Sequence, residues 1–263
     1  MKRMLNILAI LASFTPAYGQ IVGGKVLARP ELLYEITEPG ASITVGIRFV
    51  LEPGWYLYWK NPGDSGLPLD VAWELPEGWE ASPLKFPVPQ KFVYDNLVSY
   101  GYKNEVVFLA TITPGSSPMT SLKAKLDWLV CKESCLRGSA EVEVPLTSSP
   151  KGAEILASGA EKLPRPSSEQ GILPVHARTR KSGSGWEAEV ALGGSGAEEV
   201  IDFYPDLSES LFIELASIRV EDKVLKIRFE VPEPAPSVVS LSGLFITPSA
   251  GFQTTIPLQL SSM

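Results

Sequence analysis

Apolar and polar residues alternate with a period of two along most of this chain. Ile43, Val45, Ile47 and Phe49 fall on one side of residues 43–51, the spacing that gives a strand one buried face. Residues 105–112 form a further β-rich run. Residues 122–130 alternate most cleanly, with Leu122, Ala124, Leu126, Trp128 and Val130 on one face and Lys123, Lys125, Asp127 and Leu129 on the other. Ala140, Val142 and Val144 resume the pattern. Many short strands punctuated by 22 glycines and 23 prolines predict an all-β protein built of sandwiches rather than a helical one.

The pattern breaks between residues 147 and 174. Ser148-Ser149-Pro150-Lys151-Gly152 and Pro164-Arg165-Pro166-Ser167-Ser168 bracket residues 153–163, which read as a short helix. Ser149 would be its N-cap and Pro150 its first helical residue. Strand patterns return at residues 175–180, 186–192, 200–204, 211–218, 224–231 and 252–260. The expected organisation is a first β-sandwich over residues 20–148, a linker or short helix over 149–172, and a second β-sandwich over 173–263. No internal repeat is evident, and the second sandwich has neither a cysteine nor a catalytic constellation.

Residues 1–19 read as a secretory signal peptide. Lys2 and Arg3 precede an apolar run over residues 4–14, and Ala17-Tyr18-Gly19 offers the small residues a signal peptidase reads, so cleavage is expected near Gly19. A membrane anchor is the alternative, but a span needs about 20 apolar residues, and this run is shorter. The chain is therefore expected to be exported to an oxidising compartment without membrane insertion, where disulfides persist. The full chain carries 23 basic and 30 acidic side chains; without Lys2 and Arg3 the balance is 21 to 30, a net charge of −9. With no basic cluster, nucleic acid and anionic lipid are not expected as partners. The mature chain is long enough for one large or two modest domains whose cores come from apolar burial.

Only two cysteines are present, Cys131 and Cys135, in the run Trp128-Leu129-Val130-Cys131-Lys132-Glu133-Ser134-Cys135. Continuing the alternation places Cys131 on the polar side of its strand, as an accessible thiol. A bridge between the two closes a very short loop. In the chain-entropy view such a loop stabilises by roughly 2 kcal/mol, against about 4.7 kcal/mol for a hundred-residue loop, so a purely structural bridge would do more elsewhere. Lys132 favours a thiolate beside it and Glu133 opposes it. The residues alone leave redox exchange and a structural clip open side by side. Two thiolates supply half of a structural zinc site, and thiolates with methionine suit Cu(I). The single histidine, His176, lies some forty residues away, however, and only Met119 of the four methionines falls near in sequence. No metal site and no cofactor are expected. One histidine also argues against a hydrolytic triad, and no glycine-rich phosphate loop is present.

Three stretches in order carry a further signal: Gly54-Trp55-Tyr56-Leu57-Tyr58-Trp59-Lys60-Asn61-Pro62-Gly63-Asp64-Ser65-Gly66, then Ser99-Tyr100-Gly101-Tyr102 with Glu105-Val106, then the cysteine run. Over roughly residues 54–146 the chain resembles the periplasmic N-terminal domain of DsbD-type thiol:disulfide interchange proteins, closest to the branch that includes the ScsB proteins of copper-tolerance systems. The second sandwich matches only in kind and position. The resemblance implies immunoglobulin-like sandwiches, a redox pair at Cys131 and Cys135, flanking aromatics at Tyr56 and Tyr58, and a covering loop around Ser99, Tyr100, Gly101 and Tyr102. In the best-known members a Phe caps the pair; Ser99 falls at that position, leaving Tyr100 or Tyr102 to shield it. Asp64, Trp55 and Trp59 also have plain readings, as a turn residue and as core side chains.

The resemblance further implies a periplasmic protein that takes electrons from a membrane electron-donor protein with a cysteine pair and passes them to periplasmic disulfide-containing proteins. The membrane-spanning and thioredoxin-like domains of full-length members do not follow in this sequence, so the donor is expected as a separate protein. The rival expectations are a non-catalytic binding module with an inert disulfide, and a copper-handling protein.

Overall fold

Period-two patterning becomes strand throughout the computed structural model, which describes residues 20–22, 25–38, 40–146 and 152–260. The expected signal peptide, and Ser149 and Pro150 as helix cap and first helical residue, lie outside the described residues. The first half carries β1 (Gln20–Val22), β2 (Lys25–Ile36), β3 (Ile43–Leu51), β4 (Tyr56–Gly63), β5 (Asp70–Glu74), β6 (Glu80–Ala81), β7 (Gln90–Tyr94), β8 (Leu97–Lys103), β9 (Glu105–Thr113), β10 (Ser121–Cys131) and β11 (Cys135–Pro145). These form two sheets, one ordered β1-β2-β3-β9-β6, the other β11-β10-β4-β8-β7 with β5 added on β10. After helix α1 (Ala153–Glu161) come β12 (Arg165–Pro166), β13 (Leu173–Ser182), β14 (Gly185–Gly193), β15 (Asp202–Pro205), β16 (Phe212–Glu221), β17 (Val224–Glu230), β18 (Val238–Ile246) and β19 (Gly251–Gln259). They form two four-stranded sheets, β12-β19-β18-β15 and β13-β14-β17-β16. The chain is all-β apart from α1 and short 3-10 turns, as the patterning predicted.

The clean alternation of β10 sets its packing. Leu122, Ala124, Leu126, Trp128 and Val130 are each at most 2 % exposed, and Trp128 meets Phe49 edge-on across the sandwich at 5.1 Å. Gly138 on β11 sits opposite Trp128 in register; a side chain there would run into the indole ring. In β9 the apolar run Val106-Val107-Phe108-Leu109-Ala110 does not alternate because both faces are covered. Phe108 faces the sandwich interior, while Val107 and Leu109 meet Leu156 of α1 together with Leu33.

The helix begins one residue after Gly152, which occupies the N-cap at φ +85° and offers no side-chain cap. Nine residues without a cap make a weak helix on their own, so its place depends on Leu156, 2 % exposed. Gly46 and Gly159 leave the room: a Cβ on Gly46 would strike Leu156, and one on Gly159 would press on Val107. The expected linker is thus docked on the outer face of the first sandwich.

Apolar burial runs without a break from one half to the other. Four tyrosines are caught in it or beside it, and the phenols of Tyr58, Tyr100, Tyr102 and Tyr204 are all raised above their ordinary value, first by burial. Tyr204 is pushed up to about 12, with the nearby Asp202 charge adding to burial. In the unfolded chain each would titrate near pH 10.

Two outcomes follow for stability. Leu156→Ala should cost about 2–4 kcal/mol in urea unfolding and speed amide exchange throughout α1. The folded state holds the phenol protons more tightly than the unfolded one, so their contribution is whole below about pH 10 and falls as pH rises from there toward the folded values. Urea midpoints should therefore drop between about pH 9 and about pH 11, with the tyrosinate absorbance of these four phenols appearing only as the chain unfolds.

Candidate functional site

The β10–β11 hairpin closes on its own cysteines. Its register pairs residues from Ser121↔Pro145 up to Cys131↔Cys135 without a slip, so the two sulfurs face each other across the three-residue loop Lys132-Glu133-Ser134. Their Cα atoms are 4.2 Å apart and a disulfide joins them. On the other side of β10, β4 is bonded at Val130↔Leu57 and Cys131↔Tyr56. Cys131 is therefore hemmed in by Tyr56 and Cys135 and is only 7 % exposed. The expectation of an accessible Cys131 is corrected here: strand parity does take it off the sandwich core, but the neighbouring strand covers it. Cys135 is the exposed residue of the pair.

Tyr56 and Tyr58 come from one face of β4, two residues apart. Tyr58 Oη lies 3.2 Å from Cys135 Sγ and 3.4 Å from Tyr56 Oη. A disulfide sulfur has no proton to give, so Tyr58 donates to Cys135 Sγ, which leaves Tyr58 Oη to accept from the Tyr56 hydroxyl. Two small residues admit this arrangement. Gly66, at φ +108°, lies against the Tyr58 ring where any Cβ would collide, and Gly101, opposite Tyr58 in register, has no space for a side chain beside Leu57 O and the Tyr56 ring. Burial, then the bond from Tyr56, raise the Tyr58 phenol far above its ordinary value, so it stays a proton donor across the physiological range.

The stretch expected to form a covering loop is strand. Ser99, Tyr100, Gly101 and Tyr102 lie in β8 and are buried. Tyr100 points away from the cysteines, with its ring 5.9 Å from Trp59 and 4.7 Å from Tyr204. Tyr102 packs on Phe108 at 5.4 Å and donates its hydroxyl to Pro87 O at 2.8 Å. Neither ring is free to shield the pair. The aromatic beside the site is instead Phe92 on β7, directly opposite Ser99 in register. Its ring is 4.7 Å from that of Tyr56, with Lys103 Nζ 4.5 Å from its centre. The sequence signal for it was the turn Asp95-Asn96, both at positive φ, which makes β7 and β8 a tight hairpin and brings Phe92 alongside Ser99.

Other candidate residues have structural tasks. Asp64 ties the turn after β4 to β8, accepting from Val98 N at 2.6 Å while its own amide donates to Val98 O at 2.8 Å. Trp59 is fully buried and Trp55 packs on the core. His176 is on β13 in the second half, accepting from Arg178 Nε at 3.0 Å. Among the described residues, no group of three or more His, Cys, Asp or Glu side chains is placed to hold a metal ion.

The comparison with known proteins agrees with this geometry. Residues 25–147 match the family described as thiol:disulfide interchange protein DsbD, N-terminal. The fold is similar to the crystal structure of the N-terminal periplasmic domain of ScsB from Proteus mirabilis, with a TM-score of 0.72 at 16 % identity, over 94 % of this chain and 99 % of that one. No curated protein matches by sequence. Cys131, Cys135, Tyr56, Tyr58 and Phe92 all fall inside the matched segment. Residues 25–147 are thus similar to the DsbD N-terminal family, and the match together with the shared fold supports a thiol:disulfide interchange module in that part of the chain.

Proposed function

We propose that this chain is a periplasmic protein that transfers electrons to protein disulfides through Cys131 and Cys135, with Cys135 as the attacking sulfur. The observation that carries the reading is the asymmetry of the pair: Cys135 is exposed and receives the Tyr58 hydrogen bond, while Cys131 is buried behind it. A hydrogen bond to the charged form favours it, so the Tyr58 hydroxyl is placed to stabilise a thiolate on Cys135 once the bond is reduced. Residence in the periplasm is supported by the family and by the fold shared with the periplasmic domain of ScsB. Among the described residues no helix is long and apolar enough to cross a membrane.

The exchange balances in two displacements. The Cys135 thiolate attacks one sulfur of a partner disulfide; a Cys135–partner bond forms and the partner's other sulfur leaves as a thiolate that takes a proton. Cys131, having lost its proton, then attacks Cys135 Sγ. The Cys131–Cys135 bond forms, the mixed disulfide breaks, and the partner's second thiolate leaves. Two electrons pass to the partner, and a dithiol donor returns the pair to its reduced state by the reverse steps. A membrane protein with its own cysteine pair suits that task, and periplasmic disulfide-containing proteins suit the other.

Trapping tests the assignment. Cys131→Ala, expressed in the periplasm, should accumulate thiol-sensitive covalent adducts through Cys135, and Cys135→Ala should not. Absence of adducts from both variants, together with a reduction potential below about −300 mV, would leave the inert clip as the better reading. Tyr58→Phe should move the alkylation midpoint of reduced Cys135 upward by about one to two pH units, since a hydrogen bond to a charged group is worth roughly 1.5–3 kcal/mol. The pH dependence of alkylation of the reduced protein measures it.

A further inference from the structure

The second sandwich touches the strands of the candidate site from behind, where β16 meets β8 and where the polar contacts come from β15 and the residue after it. On β15, Asp202 and Tyr204 point the same way. Asp202 Oδ2 is 2.9 Å from Lys91 Nζ on β7, and the Tyr204 ring is 4.7 Å from that of Tyr100 on β8. Lys91 and Tyr100 are themselves direct partners in the β7–β8 register. Beyond them, Pro205 O accepts from Asn61 Nδ2 on β4 at 2.7 Å, and Asp206 pairs with Lys60 at 2.7 Å. Residues 202–206 therefore grip β4, β8 and β7, the three strands that carry Tyr56, Tyr58, Gly101 and Phe92.

Alternation along those strands separates the two jobs. Lys91 faces the second sandwich, and its neighbour Phe92 faces the other way, onto Tyr56. The hairpin that carries both is at the edge of its sheet, and its tip is exposed at Val93, Tyr94 and Leu97, which are 63 %, 77 % and 53 % accessible. An edge hairpin bonded on one side only is free to lift unless something holds its outer strand. The ion pair is only about one-fifth exposed on each side, and it is the contact that reaches that strand.

We propose that Asp202 is a positioning residue for the disulfide. By holding Lys91 it keeps Phe92 against Tyr56, and the contiguous rings Phe92, Tyr56 and Tyr58 then limit the approach of thiols to the Cys131–Cys135 bond. The second sandwich thus serves as a brace that sets how readily the site is attacked. The proposal rests on the exchange role of the pair, and its test separates the two.

The test reads the rate at which dithiothreitol reduces the native disulfide in the full mature chain, alongside its reduction potential and urea midpoint. Asp202→Ala and Lys91→Ala should each speed reduction about two- to fivefold, the range that a partly exposed ion pair can supply. Phe92→Ala should speed it at least as much, and Asp202→Ala should add nothing in the Phe92→Ala background, because both changes remove the same cover. The exchanged pair Lys91→Asp/Asp202→Lys should return the rate toward that of the parent. Should Asp202→Ala not fold, Lys91→Met compared with Lys91→Arg gives the same reading, with acceleration only in the former. An unchanged rate in the ion-pair variants, or an acceleration that persists in full without Phe92, overturns the brace. A parent disulfide that dithiothreitol cannot open in the native fold overturns the exchange role instead.

Discussion

One register holds the site together. The β10–β11 hairpin pairs eleven residues on each strand without a bulge, so the position of Cys131 against Cys135 is decided by side chains far from either sulfur. Leu122, Ala124, Leu126, Trp128 and Val130 must all face inward at once, and a slip of one residue would turn that entire face outward. The core thus specifies the register, and the register delivers two sulfurs to the same point at the end of the ladder. The disulfide itself closes too short a loop to account for much of the stability. It is placed by the fold rather than responsible for it.

The strand β4 then uses both of its faces. Leu57 and Trp59 lie in the core, while Tyr56 and Tyr58 project toward the cysteines. Beyond Trp59 the alternation gives way to Lys60 and Asn61, which turn to the second sandwich. The same division recurs on β7, where Lys91 and Phe92 take opposite sides. Period-two geometry allows one thin sheet to be core wall, reactive surface and docking face, and it couples those surfaces mechanically because they share a backbone.

Much of this was legible from residue order, and the exceptions have physical reasons. The alternation of residues 43–51 and 122–130 reappears as β3 and β10, since each has one face on a core. The strand β2 gave no such signal because Arg29, Pro30 and Glu31 interrupt its apolar run, although its pairing with β3 continues through them. The β18 segment follows the proline-rich residues 232–236, which mask the strand that begins just beyond them. The helix was readable, but its partners were not: Leu156 finds Leu33, Val107 and Leu109 only after the sheet exists. At the site, Cys131 and Cys135 stood out because they are the only cysteines, whereas Tyr56 and Tyr58 were reached only through the resemblance to the DsbD-type domain. Which aromatic lay beside them depended on pairing across the Asp95-Asn96 turn, and local sequence around Ser99 could not show that Tyr100 serves the other sandwich.

The unequal burial of the two sulfurs bears on direction as well as on access. In the proposed exchange, a donor thiolate must strike one sulfur and expel the other. Attack on exposed Cys135 expels Cys131 as a thiolate into a buried position, where it is poorly solvated and leaves reluctantly. The reverse passage has the opposite character. In the proposed exchange Cys135, whose Sγ lies 3.2 Å from the Tyr58 hydroxyl, attacks first, and Cys131, close by, closes the ring and releases the partner. Both directions therefore pass through one mixed disulfide on Cys135, and the buried sulfur acts as the resolving group in one sense and as the reluctant leaving group in the other.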